Sequence, residues 1–552
     1  VEETFDYIIV GAGSAGCVLA HRLSEDGRAR VLLLESGGGD GSIFIQMPTA
    51  LSIPMNTPRF IWDYEAEPEP ALGGRRLHTP RGRVLGGSSS INGLVYVRGN
   101  PLDFDRWEAE GARGWAYGNV LPYFRRAEDR AEGGDAWRGT GGPLKTRYGT
   151  LANPLHDAWL KAAEAAGYPL TADINGYQQE GFGRMDMTVG EGRRWSAATA
   201  YLKPARSRSN LEIRTGALVT RVRFDGKRAV GVEYKTGKSR RFANTRREVV
   251  LAGGAINSPQ LLKLSGIGPG EELARHGLPV ITHHPGVGEN LQDHLEFYFQ
   301  VASTRPVTLY SAMSPLARAW IGARWILRKD GLGATNHFET CGFIRSRAGV
   351  RYPDIQYHFL PLAVTYDGKS LARGHGFQAH VGPMRSKSRG WVRLRSPDPE
   401  AKPEIRFNYM SHPDDWREMR ACVRLTREIF AQAPFDPYRG EELQPGAAVV
   451  GDADIDAFIR DKAETAYHPS CTCRMGRADD PMAVVDPEGR VIGVEGLRVV
   501  DASIMPSITT GNLNAPTIML AEKAADHILG KPMLARSNAD YYVAPDWETA
   551  QR

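Results

Sequence analysis

Cysteine is scarce in this 552-residue chain: Cys17, Cys341, Cys422, Cys471 and Cys473 are odd in number and scattered. That pattern argues against a disulfide framework and points to a reducing compartment. Cys471 and Cys473 flank one threonine, but no second Cys or His pair stands at zinc spacing. We therefore expect no metal, and read both as small core residues. Charge of one sign is also missing. Lys and Arg number 69 against 64 Asp and Glu, a net of +5, with no dense basic block to suggest a nucleic-acid partner. Long apolar runs are absent too. The longest uncharged stretch, 502–521, carries Pro506, Pro516 and many polar residues, so it is no membrane span. The N-terminus is acidic and runs straight into a strand pattern, unlike a secretory signal. These absences predict a cytoplasmic protein whose membrane contact, if any, is peripheral at the inner face of the cell membrane. Nor is there an internal repeat or low-complexity segment. The length instead suits two joined domains around a large core and a closed pocket.

What is present begins at once. Phe5-Asp-Tyr-Ile-Ile-Val10 reads as a buried strand, Gly11-Ala-Gly13-Ser14-Ala-Gly16 as a glycine turn, and the residues after it as a helix. A second apolar run, Val31–Leu34, then ends on Glu35. Strand, turn, helix, strand and acid in this order form a dinucleotide fingerprint. Gly11 permits the tight turn, Gly13 lets backbone approach a pyrophosphate, and Gly16 lets helix and strand pack closely. The helix N-terminus offers N–H donors and positive partial charge, and Glu35 can accept from a ribose diol. The unit alone does not separate FAD from NAD.

A second glycine turn spans Arg81 to Gly93, including Gly86, Gly87, Ser88 and Asn92. Strand signals return at Leu211–Arg214, Val219–Phe224, Ala229–Tyr234 and Glu248–Leu251, with Asp225-Gly226 as a hairpin turn. From about 300 to 455 the texture changes, mixing strand-like runs (Ile355–Leu360, Gly390–Leu394) with a helical one (Asp415–Gln432). Near the end come a strand, Leu497–Val500, the segment Asp501-Ala502, and a helix predicted over Pro516–Leu529. The predicted architecture is α/β. A Rossmann-like dinucleotide domain, discontinuous in sequence (1–150, 200–298 and 460–535), receives an inserted α+β substrate domain (151–199 and 299–459) built on an antiparallel sheet, and 536–552 form a tail.

Three well-separated segments carry a family resemblance: Arg83-Val-Leu-Gly-Gly-Ser-Ser-Ser-Ile-Asn92, Gly254-Ala-Ile-Asn-Ser-Pro-Gln-Leu-Leu-Lys-Leu-Ser-Gly-Ile-Gly268, and Gly288-Glu-Asn-Leu-Gln-Asp-His294 together with Tyr467-His-Pro469 and Gly511–Thr517. With them the chain resembles the glucose–methanol–choline (GMC) flavoproteins over nearly its whole length, and within that family the choline-oxidising bacterial members. The resemblance implies FAD and the GMC fold. It implies oxidation of a primary alcohol, choline to betaine aldehyde with a further oxidation to glycine betaine left open, by loss of the hydroxyl proton to a base and hydride transfer to flavin N5. In some relatives a histidine attaches the flavin covalently. Here Ile91 stands at that position, so non-covalent FAD is expected.

The same resemblance assigns roles. His468, of the His-Pro pair, is the expected general base, since imidazole titrates near neutrality. Asn514 resembles the second catalytic position and would donate to the developing alkoxide, or else simply cap the helix that follows. Glu296 would face a quaternary ammonium, against the alternative of an ordinary strand residue. Aromatic walls are sought in Trp62, Tyr64 and Tyr467. His358 is a substrate-side candidate or a satisfied core histidine, and His294 a weaker one. Gly86, Gly87, Ser88, Asn92, Val219, Asp501, Ala502, Asn514 and Thr517 would join Gly11, Gly13, Ser14, Gly16 and Glu35 around the cofactor.

A helical pattern from Ser314 puts Leu316, Trp320, Ala323 and Leu327 on one face and Ile321 and Trp325 beside Arg318 and Arg328 on the other. Packing on both sides is the expected reading, and docking on an anionic bilayer the alternative. Oxygen, a quinone and an electron-carrier protein all remain open as acceptors, a quinone or carrier being preferred by resemblance. The rival functions are a GMC dehydrogenase or oxidase of neutral primary alcohols, a flavin-containing hydroxynitrile lyase, and a non-catalytic nucleotide module.

Overall fold

The computed structural model describes residues 3–364 and 374–552. Strand β1 (Glu3–Val10), helix α1 (Ser14–Leu23) and strand β2 (Val31–Leu34) build the first unit. All four residues of β2 are buried, as expected for a parallel strand covered on both faces. β1 lies parallel between β2 (Ile8 opposite Leu32) and the end of the strand Ser239–Leu251 (Ile8 opposite Val249). Leu211–Arg214 extends the sheet parallel beyond β2, and Leu497–Val499 pairs parallel with Ser239–Leu251. That 13-residue strand changes partners along its length. Its first half closes an antiparallel meander with Arg228–Thr236, which pairs in turn with Ala217–Asp225. Gly226 turns this hairpin at φ +57°, a left-handed geometry suited to glycine.

A second sheet is antiparallel throughout, in the order Arg439–Gln444, Leu295–Ser303, Gly376–Pro383, Ile355–Leu360, Thr340–Ile344, Gly181–Arg184. Its strands alternate with period two. Phe297, Phe299, Tyr357, Phe359, Phe377 and Val381 face a core shared with Trp159, Phe430 and Phe435 of the covering helices. Glu296, His358 and His380, on the intervening positions, line the cleft between the sheets. One sheet thus buries an aromatic face and offers a polar one. The strand Leu295–Ser303 starts before residue 298 and already belongs to this sheet, and Glu464–Thr465 pairs with it, so strands of the second sheet fall inside segments expected for the dinucleotide domain.

The helix Pro315–Arg328 differs from the packing expected on both sides: of its residues only Trp325 is buried. Leu316, Trp320 and Leu327 are 86%, 71% and 82% exposed. Trp325 packs with Met47 and Ala50, next to the cleft-lining Leu51. Among the described residues, no helix is long and apolar enough to cross a membrane. The tail is strapped down, with Tyr541 donating to Asp105 at 2.7 Å.

Candidate active site

One cleft of about 320 Å3 runs between the two sheets, and most of the expected residues line it. At one end stand Gly11, Gly13, Ser14, Glu35 and Val219. α1 begins there with no side-chain cap, leaving its first N–H groups directed at the cleft. Glu35 is buried, accepts from Ala12 N at 2.9 Å and Gly37 N at 2.7 Å, and burial raises its pKa. Gly16 and Gly86 are the exceptions to the expectation, since they act behind the wall. A Cβ on Gly16 would lie 1.8 Å from Gly11 O, and Gly86 N donates to Ala12 O at 2.7 Å. The two glycine turns meet where a Cβ on Gly87 would come within 2.6 Å of Gly13 Cα.

The second turn is held from outside. Ser88 Oγ accepts from Arg81 Nη2 at 2.9 Å and Gly82 N at 3.1 Å. Asn92 Oδ1 accepts from Arg194 Nη1 at 2.8 Å. Arg194 is buried and Arg81 half-buried, and desolvation lowers their pKa values to about 9 and about 10. Asp501 accepts from Ser258 Oγ at 2.6 Å and Gly254 N at 2.9 Å, with Ala502 beside it on the cleft wall. Thr517 lines the cleft and donates back to Leu513 O at 2.7 Å.

Asn514 is not beside His468. It is the first residue of the helix Asn514–Leu529 rather than its cap, and its Oδ1 accepts from Ser14 Oγ at 2.8 Å. It therefore ties the N-termini of two helices together at the dinucleotide end. The amide that meets His468 is Asn512, whose Nδ2 donates to His468 Nε2 at 3.1 Å. Asn512 Oδ1 accepts from Gln356 Nε2 at 3.1 Å and lies 3.2 Å from His358 Nε2. Asn512-Leu-Asn514 offers the same residue type twice, and only the path of the backbone distinguishes them.

His468 is half-buried on the cleft wall. Burial, followed by His294, His358 and Arg81, holds its imidazole well below the ordinary histidine range. Its backbone N donates to Asp293 at 2.7 Å, and Tyr467 before it sits at φ +66°, a strained value for a side chain of that size. Burial raises Asp293 to about 6. His294, the weaker candidate in sequence, is central here. Its Nε2 donates to Met384 O at 3.0 Å, and its Nδ1 lies 2.9 Å from His468 Nδ1. Burial lowers His294 to about 4, so it is neutral and its Nδ1 is an acceptor. His468 must then carry its proton on Nδ1, leaving the Nε2 lone pair facing the cleft beside Asn512.

Glu296 lines the cleft and accepts from His380 Nδ1 at 3.2 Å. Tyr467 and Phe338 also line it, and the Phe338 ring stands edge-on to both His358 and His380. Phe338, His380 and Asn512 were not anticipated. For His380 a signal existed, because Gln378-Ala-His380 repeats the spacing of Gln356-Tyr-His358. Trp62 lines the same cleft. It stacks on Tyr64 and carries Arg83 over its face at 4.8 Å, and Arg83 Nε donates to Ser36 next to Glu35. Tyr64 is buried behind it, accepting from Asn257 Nδ2 at 2.7 Å.

The residues present fit a flavin dinucleotide. Two uncapped helix N-termini face the cleft, and Gly93 and Gly254 line it where a Cβ would meet nothing within 4 Å.

The chain matches the description GMC oxidoreductase over residues 5–296 and again over 386–521. It is 59% identical over 547 residues, 99% of this chain and 100% of the relative, to an oxygen-dependent choline dehydrogenase of Brucella ovis. Among solved structures it is similar to pyridoxine 4-oxidase from Mesorbium loti, with 32% identity, TM-score 0.87, and 96% of this chain and 99% of that one covered. It is also similar to an FAD-dependent oxidoreductase from Chaetomium thermophilum, with 28% identity, TM-score 0.86, and 95% and 99% covered.

Proposed function

This chain belongs to the GMC oxidoreductase family, and we propose that within it the protein is an FAD-dependent choline dehydrogenase producing betaine aldehyde. The observation that carries the reading is the pairing, on one cleft, of an unprotonated His468 Nε2 with the carboxylate of Glu296. Full-length similarity to choline dehydrogenases supports it.

Gly11, Gly13, Ser14, Glu35, Gly87, Ser88, Val219, Asp501, Ala502 and Thr517 would hold the FAD, with Asn514 fixing the helix ends on which it rests. Bound FAD supplies the acceptor for the hydride that leaves the carbinol carbon. Ile91 offers no nucleophile toward it, which supports non-covalent binding. Glu296 attracts the quaternary ammonium, which has no N–H donor of its own, while Tyr467 and Phe338 offer aromatic faces. His468 Nε2 takes the hydroxyl proton. Asn512 Nδ2 donates to the oxygen as its charge develops, which is worth more in a buried site than in water. Anaerobic mixing with choline tests the reading: bleaching of the flavin is expected, and an unbleached flavin would favour the lyase alternative.

A peripheral bilayer contact is proposed through the helix Pro315–Arg328. Its exposed Leu316, Trp320 and Leu327 alternate with Arg318, Arg324 and Arg328, a composition suited to an anionic interface. A bilayer there would bring a lipid-soluble quinone near the cleft wall, in keeping with the preferred acceptor. Flotation of the full chain with vesicles containing anionic lipid should carry the protein upward, and Trp320→Ser with Leu327→Ser should leave it at the bottom. Equal flotation of both proteins would rule the contact out.

A further inference from the structure

Behind Glu296 lies a relay of hydrogen bonds that ends on backbone. Val364 N donates to Gln378 Oε1 at 2.8 Å, and Gln300 Nε2 donates to the same oxygen at 2.8 Å. A backbone N–H is a donor and nothing else, so it fixes which end of the Gln378 amide is oxygen. The other end, Nε2, therefore faces His380 Nε2 at 2.7 Å. An amide nitrogen has hydrogens and no lone pair to offer, so His380 Nε2 must accept. The one ring proton of His380 is then on Nδ1, directed at Glu296 Oε1 at 3.2 Å.

We propose that Gln378 is a specificity-setting residue: by filling Nε2 of His380 it keeps that ring neutral, and so keeps Glu296 an undiminished negative charge for the quaternary ammonium. A protonated His380 would place a full positive charge against the same carboxylate, and the substrate would then approach a neutral pair. The relay rests on the reading of Glu296 as the cation site and explains why a histidine beside it does not cancel its charge.

The neighbours are consistent with a single controlled proton. Glu296 and Tyr298 face His380 from the strand Leu295–Ser303, Tyr298 with its ring centroid 4.3 Å away. His358 faces it from Ile355–Leu360, 6.4 Å between ring centroids, and Phe338 closes the edge at 5.5 Å. Tyr467 lies on the cleft beside Glu296. Among these described groups Glu296 carries the one formal charge, so a proton gained by His380 would be read directly by a cationic substrate.

The test uses the FAD-loaded protein with choline and with its uncharged isostere, 3,3-dimethylbutan-1-ol. In Gln378→Glu one carboxylate oxygen can still accept from Val364 N and Gln300, while the other calls for a proton on His380 Nε2. Its KM for choline should rise by about tenfold or more at neutral pH, the size of a one-unit change in ion pairing. That rise should relax as pH increases and His380 gives up its second proton, and KM for the isostere should stay within about twofold. Gln378→Met removes the donor without adding a charge. Its choline KM should climb as pH falls through the histidine range, where the wild-type value stays flat. Wild-type protein that prefers choline, with both variants keeping flat choline profiles, would overturn the relay. Wild-type protein that treats choline and the isostere alike would overturn the cation site beneath it.

Discussion

His294 and His468 face each other Nδ1 to Nδ1 at 2.9 Å, and the carbonyl of Met384 decides which of them holds the proton between them. Because that carbonyl can only accept, it draws the His294 proton to Nε2 and makes His468 the donor at Nδ1. His294 is thus a positioning residue for the base. His294→Phe should lower the rate of flavin reduction by about 10- to 100-fold, no more than the lower end of the usual contribution of a general base, because the base itself remains. FAD content should be unchanged, and His294→Asn, which can still accept at that position, should recover part of the rate.

The same burial sets the pH response. His468 is held below the ordinary histidine range, so its lone pair is free throughout the neutral region. The acid limb of kcat/KM for choline should therefore lie below pH 6.5, activity falling as pH drops and His468 takes up a proton. A limb centred above that value would contradict the assignment.

Asn512 and Asn514 should separate cleanly by effect. Asn512→Ala removes the amide at His468 Nε2 and should cost about 100-fold in flavin reduction, as loss of an oxyanion donor does. Asn514→Ala breaks the contact to Ser14 Oγ and should instead weaken FAD retention, read as a lower ratio of flavin to protein absorbance.

Ile91 predicts the fate of the cofactor on denaturation. Acid precipitation should leave the yellow colour in the supernatant and a white pellet.

The fold was legible where side-chain pattern and backbone requirement coincide. Gly11, Gly13 and Glu35 announce the first turn, and the apolar run Val31–Leu34 announces a buried parallel strand. Leu295–Ser303 was harder to place. Its sheet partners, Gly376–Pro383 and Arg439–Gln444, lie far along the chain, and nothing local indicates that residue 295 has left the dinucleotide sheet. The site divides in the same way. His468 and Glu296 sit in short motifs with few readings. Asn512 was hidden by Asn514, because two residues of one type two positions apart differ only in where the backbone takes them. His380 and Phe338 come from strand and loop positions brought together by pairing. The helix Pro315–Arg328 showed its amphipathic period plainly, but which face was buried depended on Met47 and Ala50, distant in the chain.

The most direct measurement compares rapid anaerobic flavin reduction by choline and by 3,3-dimethylbutan-1-ol in the wild-type protein and in Glu296→Gln. The substitution should raise the half-saturating choline concentration by about tenfold or more while changing that of the uncharged alcohol by no more than about twofold, since a desolvated charge pair is lost in one case and none in the other. Equal losses for the two alcohols would contradict it.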